Sequence, residues 1–136
     1  MTNVVNQRFP HNDCYVFEEI ADTMPHMVWL TDLAGVGLYH NSCLLEYAGL
    51  TPSAALSSGW LMMVHPDELL VVQISWHQSL KTGGPFEAEC RLRDHLGEYR
   101  WLLVRGRVQK DAAGRAVRWV VTGTDITDRI ATEGRV

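Results

Sequence analysis

A histidine followed at two and three residues by carboxylates, His65-Pro66-Asp67-Glu68, is the arrangement in this 136-residue chain best suited to acid–base chemistry. An imidazole beside two carboxylates could move protons. Its setting argues for a simpler role. A proline after the histidine marks the first turn of a helix, and carboxylates there complement the helix dipole. His77 lies further along the same helical pattern, where a histidine is far more often a surface or half-buried polar group than a ligand to metal or haem. Cys14, Cys43 and Cys90 are odd in number and far apart, without a CxxC pair. They indicate reduced thiols rather than a disulfide framework or a zinc site. His11 and Cys14 have ligand-like spacing but no second pair to complete a site. Cys90 reads as a small hydrophobe within a strand. No metal site and no catalytic residue is assigned.

A second arrangement closes the last extended run: Thr124-Asp125-Ile126-Thr127-Asp128-Arg129. Asp125 can accept hydrogen bonds from backbone where a strand ends. Thr127 can cap a following helix, and Arg129 stands four residues beyond Asp125.

The elements that position these groups follow from pattern. Three extended runs, from Phe86 to Arg93, Glu98 to Gln109 and Arg115 to Thr124, are joined by turns that end in Gly97 and Gly114. Apolar spacing from Tyr15 to Met24 predicts a helix that Pro25 ends. Met27 to Asp32 and Gly37 to Asn41 read as two strands. Asn41 or Ser42 can cap a short helix that Gly49 stops, and Thr51-Pro52 opens another. The longest helix runs from His65 to about Thr82, with Leu69, Val72, Trp76 and Leu80 on one face. These elements predict an α+β domain with a five-stranded antiparallel sheet and helices on one face.

The strands are apolar on both sides. Trp29, Thr31, Cys90, Leu92, Leu102, Val104, Trp119, Val121 and Gly123 share the face expected to look toward the helices and line a ligand pocket. Val28, Leu30, Leu103 and Val120 share the other face. An unprotected apolar strip is unusual in a monomer. The N-terminal helix, with Val16 and Ile20, or a second copy of the chain is expected to cover it. Val16, Ile20, Leu30, Leu103 and Val120 are therefore the expected homodimer face.

Bulk composition excludes several classes. Apolar residues make up 46% and charged residues 21%, the balance of an ordinary globular domain. A net charge of −4 lacks the concentrated basic patch that nucleic-acid binding needs. No apolar run approaches a membrane span and the N-terminus lacks a secretory pattern, so a cytoplasmic domain without membrane contact is expected. Residues 1–14 read as a loose leader, 15–129 as the domain and 130–136 as the start of a linker.

Several stretches together resemble a PAS domain, the sensory-box module of bacterial signalling proteins such as sensor histidine kinases. The carriers are Met24 to Asp32, Tyr39-His40-Asn41 with Leu45 to Leu50, Gly59-Trp60 with Val64 to Glu68, Gly97 to Trp101, and Gly123 to Arg129. The resemblance implies the strand order 2-1-5-4-3. It also implies a signal relay through Asp125, Thr127 and Arg129 to an output domain of a longer chain. Haem-binding relatives place their ligand histidine at the position of Val72, and light-sensing relatives carry a cysteine motif where this chain has Ser58 to Met63. Haem and flavin are therefore disfavoured, which leaves no cofactor or an unidentified small molecule. Gly37 and Gly123 replace larger side chains of relatives beside the expected pocket. A small α+β pocket enzyme using His65, Asp67 or His77 is the alternative reading. Against it, the inward strand positions carry neither a carboxylate nor a histidine.

Overall fold

A computed structural model of the chain describes residues 19–134. A helical stretch at 19–23 leads into β1 (Met27–Thr31) and β2 (Gly37–His40). Two short helices follow, α1 (Ser42–Ala48) and α2 (Pro52–Ser58), then a 3-10 turn at Trp60–Met63 and the long helix α3 (Pro66–Thr82). The chain ends in β3 (Phe86–Arg93), β4 (Tyr99–Lys110), β5 (Ala116–Asp125) and a short α4 (Thr127–Thr132). The strands form one antiparallel sheet in the order β2-β1-β5-β4-β3, as expected.

One local device builds all three hairpins. Each turn reads Asp-x-x-Gly, with the aspartate folding the loop onto itself. Asp32 Oδ1 accepts from the amides of Ala34 and Val36, Asp94 Oδ1 from Leu96 and Glu98, and Asp111 Oδ1 from Ala113 and Arg115, all at 2.9 Å. The closing glycines, Gly35, Gly97 and Gly114, have φ of 92°, 82° and 82°, a region costly for other residues.

The helices are capped by their own sequence. Asn41 accepts from Leu44 N to start α1, and Gly49 ends it at φ 69°. Thr51 accepts from Ala54 N to start α2. At α3 the His65 imidazole Nδ1 accepts from Asp67 N, and Gly83 ends the helix at φ 77°. Val72 and Trp76 of α3 are buried against the sheet, while Leu70, Val71 and Ile74 face outward.

Between sheet and helices sits an aromatic cluster. The Trp76 ring lies 5.2 Å from both Phe86 and Trp119, and Trp60 lies 5.6 Å from Trp29 and 5.9 Å from Phe86. Gly106 of β4 makes room for it. A Cβ there would already touch the Trp119 and Trp76 rings at 3.5 Å, so any longer side chain would collide with them.

On the opposite face Val28 and Leu30 are buried, and Leu103 and Val120 are half-buried. Ile20 is 56% exposed, while Val16 and the start of the expected helix from Tyr15 to Met24, residues 15–18, lie outside the described residues.

Candidate functional site

The junction from β5 to α4 is tied down on both sides. Ladder pairing with β4 continues to Leu102 opposite Asp125. One step on, Ile126 N donates to Trp101 O at 2.8 Å, and Trp101 N donates to Thr127 Oγ1 at 3.0 Å. Asp125 accepts from Thr127 N at 2.9 Å through Oδ1 and from Arg100 Nε at 2.5 Å through Oδ2. Burial pushes the Asp125 carboxyl up, but the hydrogen bonds from Arg100 and Thr127 outweigh it and hold it below its ordinary value. Ile126 and Ile130 are buried and anchor the short helix.

Two details differ from expectation. Thr127 does not cap α4, because its hydroxyl is taken by the Trp101 amide that the strand ladder leaves over. The helix begins at Thr127, and Asp125 supplies the side-chain acceptor one residue before the Ile126 cap position. Arg129 does not pair with Asp125 either. Asp125 lies outside the helix, so the four-residue spacing brings no contact, and Arg100 already holds its carboxylate. Arg129 instead reaches Glu89 on β3 at 3.0 Å.

All nine residues expected to line a pocket are buried on the helix-facing side of the sheet: Trp29, Thr31, Cys90, Leu92, Leu102, Val104, Trp119, Val121 and Gly123. Trp60, Trp76 and Phe86 stand in the same cluster. The space opposite Gly123 is taken by Met27 and Trp29, both 3.5 Å from where a Cβ would lie. Cys90 is enclosed, and burial, with Glu68 nearby, pushes its thiol up to about 12. It stays protonated and unreactive at neutral pH.

Free volume lies to one side of this cluster, between β2, α1 and α2. A cavity of about 10 Å³ is lined by residues that include His40, Leu44, Ala55 and Trp60. A groove of about 280 Å³ shares His40 and Leu45 with it and is otherwise lined by Asp22, Leu38, Tyr39, Ser42, Pro52 and Leu56. His40 is 9% exposed, opposite Trp29 in the β1–β2 register. Burial lowers its imidazole below the ordinary 6.5. Sequence reasoning passed over His40 because it lies in a short, weakly patterned strand.

The adjacent Asn41 is fully buried and uses every polar position of its amide. Its Oδ1 accepts from Val28 N and Leu44 N, and its Nδ2 donates to Ala21 O and His26 O, all at 2.8–3.1 Å. It ties the 19–23 helical stretch, β1 and α1 together.

The His65 cluster is structural. His65 Nδ1 serves as the α3 cap, and Arg91 spans the carboxylates, with Nε 3.0 Å from Glu68 Oε1, Nη2 bonded to Glu68 Oε2 and 3.4 Å from Asp67 Oδ2. The donor atoms of His65, Asp67 and Glu68 fall within 4.8 Å of one another, a spacing that suits a cation. The Arg91 guanidinium already supplies the matching positive charge, so the arrangement pins α3 to β3. His77 is exposed on α3.

No helix among the described residues is long and apolar enough to cross a membrane. A family model described as PAS fold matches residues 38–123. An uncharacterized protein, y4lL, of Sinorhizobium fredii is 36% identical over 110 residues, covering 81% of this chain and 13% of that protein. The peroxide stress-activated histidine kinase mak2 of Schizosaccharomyces pombe is 31% identical over 133 residues, covering 94% of this chain. This chain spans 6% of that kinase's length. Among solved structures, a PAS domain from Colwellia psychrerythraea matches with a TM-score of 0.71 at 17% identity, over 86% of this chain and 99% of that one. With the strand order and the family match in agreement, this chain belongs to the PAS-fold family of sensory domains.

Proposed function

We propose that this PAS domain is the input module of a longer cytoplasmic signalling protein, and that it relays a change in its core through Asp125, Thr127 and Arg129 to an output domain. One observation carries the reading. β5, the central strand, hands directly to α4, and the hand-over is clamped to β4 by Asp125, Ile126 and Thr127 and to β3 by Arg129. A shift of the sheet must therefore move the helix base. The similarity to a histidine kinase supports an output of that kind. The input is a small molecule or a second copy of the chain, which would dock on the outer sheet face at Leu103 and Val120. The reading includes no haem or flavin, which is supported by an apolar, buried Val72 packed in the same core cluster as Trp60, Trp76 and Phe86.

A pocket enzyme would need a partner for His40, the inward histidine, since the Cys90 thiol stays protonated. No carboxylate lines the small cavity with it, and His65, Asp67 and Glu68 are committed to the α3 cap and Arg91.

Amide hydrogen exchange on Asp125→Ala tests the clamp. Exchange at Thr127 and Ile130 should quicken by tenfold or more, on the order of one lost charge-assisted bond, while β1 and β5 stay protected. Unchanged exchange at α4, or equal acceleration throughout the sheet, would rule the clamp out.

A further inference from the structure

We propose that the groove between the 3-10 turn, α3 and the β3–β4 hairpin is a binding site for a small aliphatic carboxylate, its head on Arg93 and Tyr99 and its chain along Leu61, Met62 and Leu69. The site lies outside the aromatic core and shares no residue with the Asp125 clamp, so it goes beyond the relay reading and stands or falls separately from it.

The groove encloses about 390 Å³. Small-molecule sites span roughly 300–1,000 Å³, so the space suits a ligand of modest size. Its floor is apolar, with Val64 buried and Leu61 and Leu69 half-buried. Met62 stands in its wall with 70% of its surface exposed. A large apolar side chain gains from being covered, and the flexible thioether of methionine adapts to the shape of what covers it.

One charge faces this apolar surface. Arg93 lines the groove, and no carboxylate lines it with Arg93. Arg91, Arg100, Arg105, Arg115 and Arg129 each hold a carboxylate at 3.4 Å or closer. Arg93 holds none among the described residues. Tyr99 stands opposite Arg93 in the β3–β4 register, which sets the two side chains beside each other on one face. Its ring packs edge-on against His65 at 4.5 Å, and its hydroxyl bonds to no other described residue. Arg93 is exposed and Tyr99 is 39% exposed, so a ligand reaches both from solvent without opening the core.

Their chemistry selects the head group. The planar fork of a guanidinium matches the two oxygens of a carboxylate, and a phenol hydroxyl adds a third donor. A single positive charge balances a single negative one. A phosphate monoester, with a charge of about −1.5 to −2, would keep part of its charge unmatched. An ammonium head would meet Arg93 as a like charge. The apolar floor then selects an alkyl body over a polar one.

The test titrates the full 15N-labelled chain with hexanoate, octanoate, decanoate and octylamine. Octanoate should shift the amides of Met62, Leu69, Arg93 and Tyr99 saturably and leave the indole N–H resonances of Trp29 and Trp119, buried in the core, in place. Affinity should rise about twofold to fourfold for each added CH₂. Octylamine should not bind. Arg93→Gln, at an exposed position, should weaken octanoate about tenfold or more, and Tyr99→Phe, which keeps the ring against His65, about threefold. Octylamine binding as well as octanoate, affinity indifferent to chain length or to Arg93→Gln, or shifts confined to the core indoles would each overturn the proposal. None of these results bears on the Asp125 clamp, and failure of the clamp leaves this site untouched.

Discussion

His40 and Asn41 are neighbours in the chain with opposite hydrogen-bonding fates, and each yields a sharp expectation. Burial lowers the His40 imidazole below 6.5, so below that pH the unfolded chain binds a proton that the folded chain resists. Stability should fall as pH drops from 6.5 through the lowered value, and it should rise again on returning upward. Urea melts at a series of pH values should show that slope, and His40→Phe should flatten it. Asn41 meets four backbone groups at once, two as acceptor and two as donor. Asn41→Ala removes a helix cap and strands the buried Val28 amide, a loss of about 3–5 kcal/mol in denaturant melts. Asn41→Asp should be at least as damaging, because it sets a carboxylate against the carbonyls of Ala21 and His26.

At the scale of elements, the turns and caps follow rules local enough to be read from composition. Each Asp-x-x-Gly loop, the Asn41 and Thr51 caps and the Gly49 and Gly83 stops depend on contacts within four residues. The long α3 was legible for the same reason, whereas the strand order came from the family resemblance alone. What escaped depends on register. That Trp101's amide would be left over, that Arg100 would reach Asp125 and that Arg129 would find Glu89 follow only once β4 is aligned on β5 and β3 on β4. Trp60 and Gly106 escaped likewise: the ring of one and the missing side chain of the other matter only where sheet and α3 converge. A comparison of glycines tests the local rule. Gly97 and Gly114 face open space, so alanine there should cost about 1–2 kcal/mol for its backbone conformation alone. At Gly49 a Cβ would also stand 2.8 Å from the His95 Cβ, so Gly49→Ala should cost more than either in the same melts.

The whole molecule joins a filled aromatic core, a half-covered outer face and a clamped exit helix. Purified protein should show no absorption band at wavelengths beyond that of its aromatic residues, since the core leaves no room for a large chromophore beside Val72. Leu103→Glu and Val120→Glu should convert a dimer to a folded monomer in sedimentation, and an unchanged sedimentation profile would remove the outer face as the self-association surface. The most direct measurement of the central claim joins residues 1–136 to a histidine-kinase output and compares autophosphorylation in wild type, Asp125→Ala and Asp111→Ala. Both aspartates fold a chain turn by accepting backbone amides, but only Asp125 ties the sheet to α4. Asp125→Ala should shift kinase output severalfold while melting within a few degrees of Asp111→Ala, whose output should stay at the wild-type level. Equal outputs from all three folded proteins would contradict the relay through Asp125.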